Sequence, residues 1–91
     1  MPKEKFGNAL GRYIDESGMT SKEVAAIVGI TESQLSKYKC CKVIPRLFRL
    51  AELCCVLRLK YPRAEYLFEL AGYKLNDSDL HSFIKMLLLE I

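Results

Sequence analysis

Glycine and proline are scarce and scattered, five and three in 91 residues. No stretch reads as a linker or a low-complexity tract, so the chain is expected to be ordered. No apolar run approaches the roughly 20 residues that cross a bilayer as a helix, which excludes a membrane span of that kind. The first residues, MPKEKFGNAL, mix charges where a secretory leader has an apolar core, and the sequence therefore points to a cytoplasmic protein. Histidine occurs once, at His81, with no Ser/His/Asp set, no phosphate-binding glycine loop and no metal-spaced cluster around it. Neither an enzyme nor a cofactor, metal or small-molecule ligand is expected. Acidic residues are missing from one window. Between Ser33 and Ala51 there is no aspartate or glutamate, while Lys37, Lys39, Lys42, Arg46 and Arg49 all fall there. The net charge is only +3, so this local excess, rather than the total, is what suits a polyanion. The alternative is a solvated basic face.

The four cysteines form two adjacent pairs, Cys40-Cys41 and Cys54-Cys55. Without a secretory leader they read as reduced thiols. Zinc sites use C-x2-C or longer spacings, and neighbours on a helix point about 100° apart. The pairs read as small apolar filler rather than as a metal or redox site.

The chain is organised around Thr20 to Lys39, TSKEVAAIVGITESQLSKYK. Thr20 with Glu23, and Thr31 with Gln34, are spaced as capping boxes that start two short helices. Gly29 sits between them, where a left-handed residue ends a helix. Two capped helices joined by a Gly-Ile-Thr turn is the sequence form of a helix-turn-helix. Around it, apolar spacing predicts a first helix over Lys3–Ser17, with Phe6, Leu10, Tyr13 and Ile14 as its stripe. The second helix, Ser21–Val28, would bury Val24, Ala25, Ile27 and Val28, with Ile30 as an apolar plug in the turn. The third, Glu32 to Lys39 or Cys40, would bury Leu35 and Tyr38 and turn Glu32, Ser33, Ser36 and Lys37 outward. Pro45 fits the first turn of a fourth helix over Arg46–Arg58, with Leu47, Leu50, Leu53, Cys54 and Leu57 inward. Pro62 opens a fifth through Ala71, stopped at Gly72. A last helix from Ser78 is apolar nearly all round: one face can pack on the domain, and the other would seek a partner.

From Leu10 to Tyr73 the chain resembles the Cro/phage-repressor (XRE) type of helix-turn-helix domain. The matching pieces are MTSKEVAAIVGIT, ESQLSKY, Pro45 followed by LFRLAELCCVL, and YLFELAGY. The resemblance implies an all-α, five-helix repressor-like domain over 1–74; 75–91 is expected, from its own apolar composition, to be a C-terminal dimerisation helix. The resemblance also implies major-groove binding of double-stranded DNA by the third helix, as a homodimer on a near-palindromic operator. Carried over position by position, Glu32, Ser33 and Lys37 would read bases. By the same comparison Ser21, Thr31, Gln34 and Arg46 would contact the DNA backbone; Lys22, Ser36, Lys39 and Lys42 are expected to do so as well, Lys39 and Lys42 on charge together with Arg49. Glu32 can equally serve the helix dipole, and Gln34 can equally close its capping box. Leu80, Phe83, Ile84, Leu87, Leu88 and Ile91 would form the dimer contact.

This sequence departs from the family pattern at two places. Lys39 stands where an acid usually pairs with a base of the first helix, which deprives Arg12 of that partner. Cys41 stands where a glycine usually follows, so either the exit from the third helix differs or Cys41 carries strain. The leading function is a sequence-specific transcriptional regulator, a repressor of phage or mobile-element type. The alternatives are a protein-interaction module on the same scaffold, an antitoxin-type autoregulator that needs a protein partner, or a thiol or metal sensor.

Overall fold

A computed structural model describes residues 4–73. They form five α-helices and no strand: α1 (Phe6–Ser17), α2 (Ser21–Val28), α3 (Glu32–Lys39), α4 (Leu47–Val56) and α5 (Tyr61–Leu70). The last helix and the dimer residues expected from the sequence lie outside the described residues, as does the 74/75 boundary.

Both helix starts in the central stretch are built by their threonines. Thr20 Oγ1 accepts from the Glu23 N–H at 3.1 Å, and the Glu23 carboxylate accepts from the Thr20 N–H at 3.1 Å. Thr31 Oγ1 accepts from the Gln34 N–H at 3.0 Å. Among the described residues the reciprocal bond completes the box only at Thr20. Each hydroxyl satisfies an N–H that a helix start leaves orphaned. Between the helices Gly29 takes φ 89°. The Ile30 N–H returns to the Ala25 carbonyl at 2.9 Å, which closes the turn through the backbone alone.

Packing follows the apolar stripes. The first helix lies against α3 and α5, and α2 lies against α3 and α4. Phe6, Leu10, Tyr13 and Ile14 meet Val24, Ala25, Leu35 and Tyr38 in one core with Leu50, Leu53, Cys54, Leu57, Leu67 and Phe68. Among the described residues no charged side chain is buried, so the core carries no cost of burying a charge.

The structure corrects four expectations. The first helix starts at Phe6, with Lys5 extended as its N-cap, because Glu4 folds back: its carboxylate takes Arg12 Nη1 at 2.9 Å and the Tyr66 hydroxyl at 2.8 Å. The guanidinium and then the hydroxyl hold the Glu4 carboxyl below the usual carboxylate range. The fourth helix is shorter at both ends. Pro45 precedes the cap, Arg46 is the N-cap, and Arg58 turns left-handed at φ 54°. The Leu59 N–H then bonds back to Cys54 and the Arg58 N–H to Cys55, the paired bonds that close a helix end. The fifth helix runs Tyr61–Leu70, with Pro62 at its second position and Ala71 as C-cap. Finally, Ile27 is not buried with its neighbours but 63% exposed.

The close approach of α1 to the end of α3 depends on Gly7. A Cβ built there would lie 1.9 Å from the Lys39 carbonyl oxygen, whereas one at Gly11 would stand 3.7 Å from Lys39 Cε. The two glycines should therefore respond oppositely to alanine. Gly7→Ala drives backbone into backbone and is expected to cost about 3 kcal/mol or more, at the upper end of overpacking. Gly11→Ala fills ordinary van der Waals space within a helix and is expected to add roughly 0.5–1 kcal/mol. Urea denaturation of both variants checks the sign at each position.

Candidate nucleic-acid interface

The third helix divides its side chains cleanly. Leu35 and Tyr38 are buried, while Glu32, Ser33, Ser36 and Lys37 are exposed together. The division follows from helical spacing, since positions three apart share a face. Thr31, at the N-cap, is exposed, and Gln34 is half-buried. The acidic residue of the first turn is Glu32, and Lys37 and Lys39 are in the last turn, each the sign that the helix dipole favours there.

Two of the expected backbone contacts are brought together. Lys39 Nζ donates to Ser21 Oγ at 3.0 Å, which holds an ammonium at the first residue of α2. That end of a helix already carries partial positive charge. The Glu23 carboxylate in the same first turn offsets part of that charge. Lys22, Lys42 and Arg46 are exposed, with no ion pair among the described residues.

Arg49 is used differently. Its Nη1 donates to the Val28 carbonyl at 3.2 Å and lies 3.4 Å from Glu52. It closes the C-terminal end of α2 and joins that helix to α4, so its charge serves the fold. Sequence reading missed this because the carbonyl it bonds is 21 residues away.

Both departures in the helix exit resolve in the tertiary structure. Arg12, without an acid at position 39, pairs with Glu4 at 2.9 Å and lies 5.2 Å from the Tyr13 ring centroid. Cys41 occupies the glycine position in the glycine conformation, φ 61°. The Lys42 N–H bonds to the Lys37 carbonyl at 3.0 Å and the Cys41 N–H to Tyr38 at 3.1 Å, so the helix closes as it would with glycine. The Cys41 sulfur in turn accepts from the Gly7 N–H at 3.2 Å, one of the orphan donors at the start of α1. Cys41 takes the left-handed conformation at the exit from α3 and carries the strain. Gly7 itself went unread. The available signal was Gly7 and Gly11, one turn apart inside an otherwise amphipathic helix, which marks a close backbone approach.

All four cysteines are free thiols. Burial, with a smaller contribution from Cys55, pushes the Cys54 thiol up to about 12, which leaves it un-ionised and inert at neutral pH. The described residues contain no group of three or more potential metal ligands. Nor do they contain a helix long and apolar enough to cross a membrane.

A family model described as a Cro/C1-type HTH DNA-binding domain matches residues 9–62. No curated protein and no solved structure matches the chain. The matched span runs from within α1 through α2, α3 and α4 to the start of α5.

The strain at Cys41 can be measured. Cys41→Ala keeps the left-handed backbone and removes the sulfur, so it is expected to destabilise. Cys41→Gly loses the same sulfur but relieves the backbone, and should be more stable than the alanine variant by about 1–2 kcal/mol. Denaturation midpoints at matched slopes decide it, and equal stability of the two variants would contradict the assignment.

Proposed function

The chain belongs to the Cro/C1-type helix-turn-helix DNA-binding family, and on that premise we propose that it is a sequence-specific transcriptional repressor that inserts α3 into the major groove. The observation that carries this reading is the outward face of α3, where Glu32, Ser33, Ser36 and Lys37 are exposed together above a buried Leu35 and Tyr38. The helix is about 12 Å long, and the groove is about 12 Å wide.

Lys37 donates to guanine O6 or N7, Glu32 accepts from a cytosine amino group, and Ser33 does either with weaker discrimination. The Ser21–Lys39 pair receives a phosphate at the start of α2. Lys22, Thr31, Gln34, Ser36, Lys42 and Arg46 hold the backbone and set register without reading sequence. Two copies joined through the C-terminal segment, by Leu80, Phe83, Ile84, Leu87, Leu88 and Ile91, set two reading helices about 34 Å apart on a near-palindromic operator. Occupancy of that operator blocks transcription.

Selection of bound sequences from a random duplex pool tests the whole reading. It should return two related half-sites spaced about one helical turn apart. Against the selected site, Lys37→Ala is expected to cost about 1–3 kcal/mol and to relax preference at one base pair per half-site. Lys42→Ala should weaken selected and random duplexes alike and lower the salt slope by about 1 per domain. Fluorescence anisotropy at several salt concentrations separates the two. Absence of salt-dependent binding to any duplex would overturn the proposal and favour a protein-interaction module on this scaffold.

A further inference from the structure

The face of the domain formed by α2 and α4 has an apolar groove that the DNA reading does not use. It encloses about 460 Å³ and is lined by Ile27, Val28, Phe48, Ala51, Cys55 and Val56, with Glu52 at its margin. It continues into a second cleft of about 630 Å³ that shares Ile27, Cys55 and Val56 and reaches Met19 and Leu57. Ile27 is 63% and Phe48 68% exposed. The charged side chain lining the first groove, Glu52, lies 3.4 Å from Arg49, while Ser17 and Arg58 line the far end of the second cleft, so the apolar surface is centred on the first groove. An apolar groove of this kind calls for an occupant.

The course of the chain indicates which. Tyr73, the last described residue, is fixed by its hydroxyl, which donates to the Pro45 carbonyl at 2.8 Å. Pro45 immediately precedes the α4 N-cap, and Phe48 is the second residue of that helix. The Tyr73 side chain therefore reaches the start of α4, while its backbone leaves from the end of α5, where its N–H bonds to the Phe68 carbonyl at 3.0 Å. Beyond Tyr73 lie Lys74 to Asp77, a connector that spans up to about 14 Å. Residues 78–91 follow, with Leu80, Phe83, Ile84, Leu87, Leu88 and Ile91 in helical register and Met86 and Leu89 beside them. As a helix that segment is about 21 Å long, enough to lie along the full length of α4, about 15 Å.

We propose that residues 78–91 of the same chain dock in the α2–α4 groove. A four-residue tether sets an effective concentration in the millimolar range, so the chain's own segment fills the groove ahead of a second copy. The docked positions include those given above to the dimer contact, so docking and that contact compete for them, and the dilution series below separates the two. The inference stands apart from the DNA reading, which intramolecular docking does not require.

Cys55 is a natural reporter because it lines the groove. Its neighbour Cys54 is buried and reports whether the fold is intact, and Cys40 is exposed and serves as the internal standard. The experiment compares iodoacetamide labelling rates at each cysteine, located by peptide mass spectrometry, in the full wild-type chain and in a Phe83→Ser/Leu87→Ser double variant. Undocking should raise the Cys55 rate relative to Cys40 by about tenfold or more, with Cys54 still protected. The wild-type protection should hold over about a hundredfold dilution, because intramolecular docking is independent of chain concentration. An unchanged Cys55 rate would overturn the proposal, and so would protection that is lost on dilution, which would assign the groove to a second copy. Should the double variant expose Cys54 as well, single cysteines introduced by Ile84→Cys, Leu87→Cys or Leu88→Cys give the second measurement. At least one is expected to form a disulfide with Cys55 within one chain, and only inter-chain products, or none, would overturn the proposal.

Discussion

The Lys39 carbonyl lies where a Cβ on residue 7 would have to be, 1.9 Å from that atom's ideal position. This backbone-to-backbone approach of α1 to the end of α3 determines how α3 is held. It needs glycine on one side, and on the other a helix end that turns away at once, which the left-handed Cys41 provides. The Cys41 sulfur then takes the Gly7 N–H, and the Lys39 side chain reaches across to Ser21 at the start of α2. Within three residues, 39 to 41, the end of α3 is tied to both helices that precede it. Side chains that must meet base edges need such support, because a displacement of an ångström costs a hydrogen bond.

The same economy governs charge. Arg12 lies against Glu4, Arg49 against Glu52 and Arg63 against Glu16. Each is an exposed or half-exposed pair, worth little in stability. Their effect on the potential is larger. They neutralise arginines on α1, α4 and α5, while Lys22, Lys37, Lys42 and Arg46 stand exposed without an ion pair among the described residues.

What could be read from the residues alone was local. A threonine three residues from a glutamate or glutamine satisfies the first N–H groups of a helix wherever it occurs, so α2 and α3 have the expected ends. Gly29 needs only its own freedom at positive φ. Leu35 and Tyr38 are separated from Ser33, Ser36 and Lys37 by helical spacing, and the exposed face of α3 follows from that period. The sequence by itself therefore determined the helix-turn-helix and the side chains it presents.

Tertiary structure decided everything that depends on two distant segments meeting. Glu4 shortened α1 because Arg12, 8 residues on, and Tyr66, 62 residues on in α5, both reach it. Arg49 left the basic face because the end of α2 offers it a carbonyl. Ile27, apolar and within a buried run, faces outward because α4 crosses α2 beside it rather than over it, leaving the groove they share with Phe48. Gly7 was a residue of no evident role until Lys39 arrived against it. In each case the periodicity of one helix says which residues lie on a face. Only the position of another helix says what that face meets.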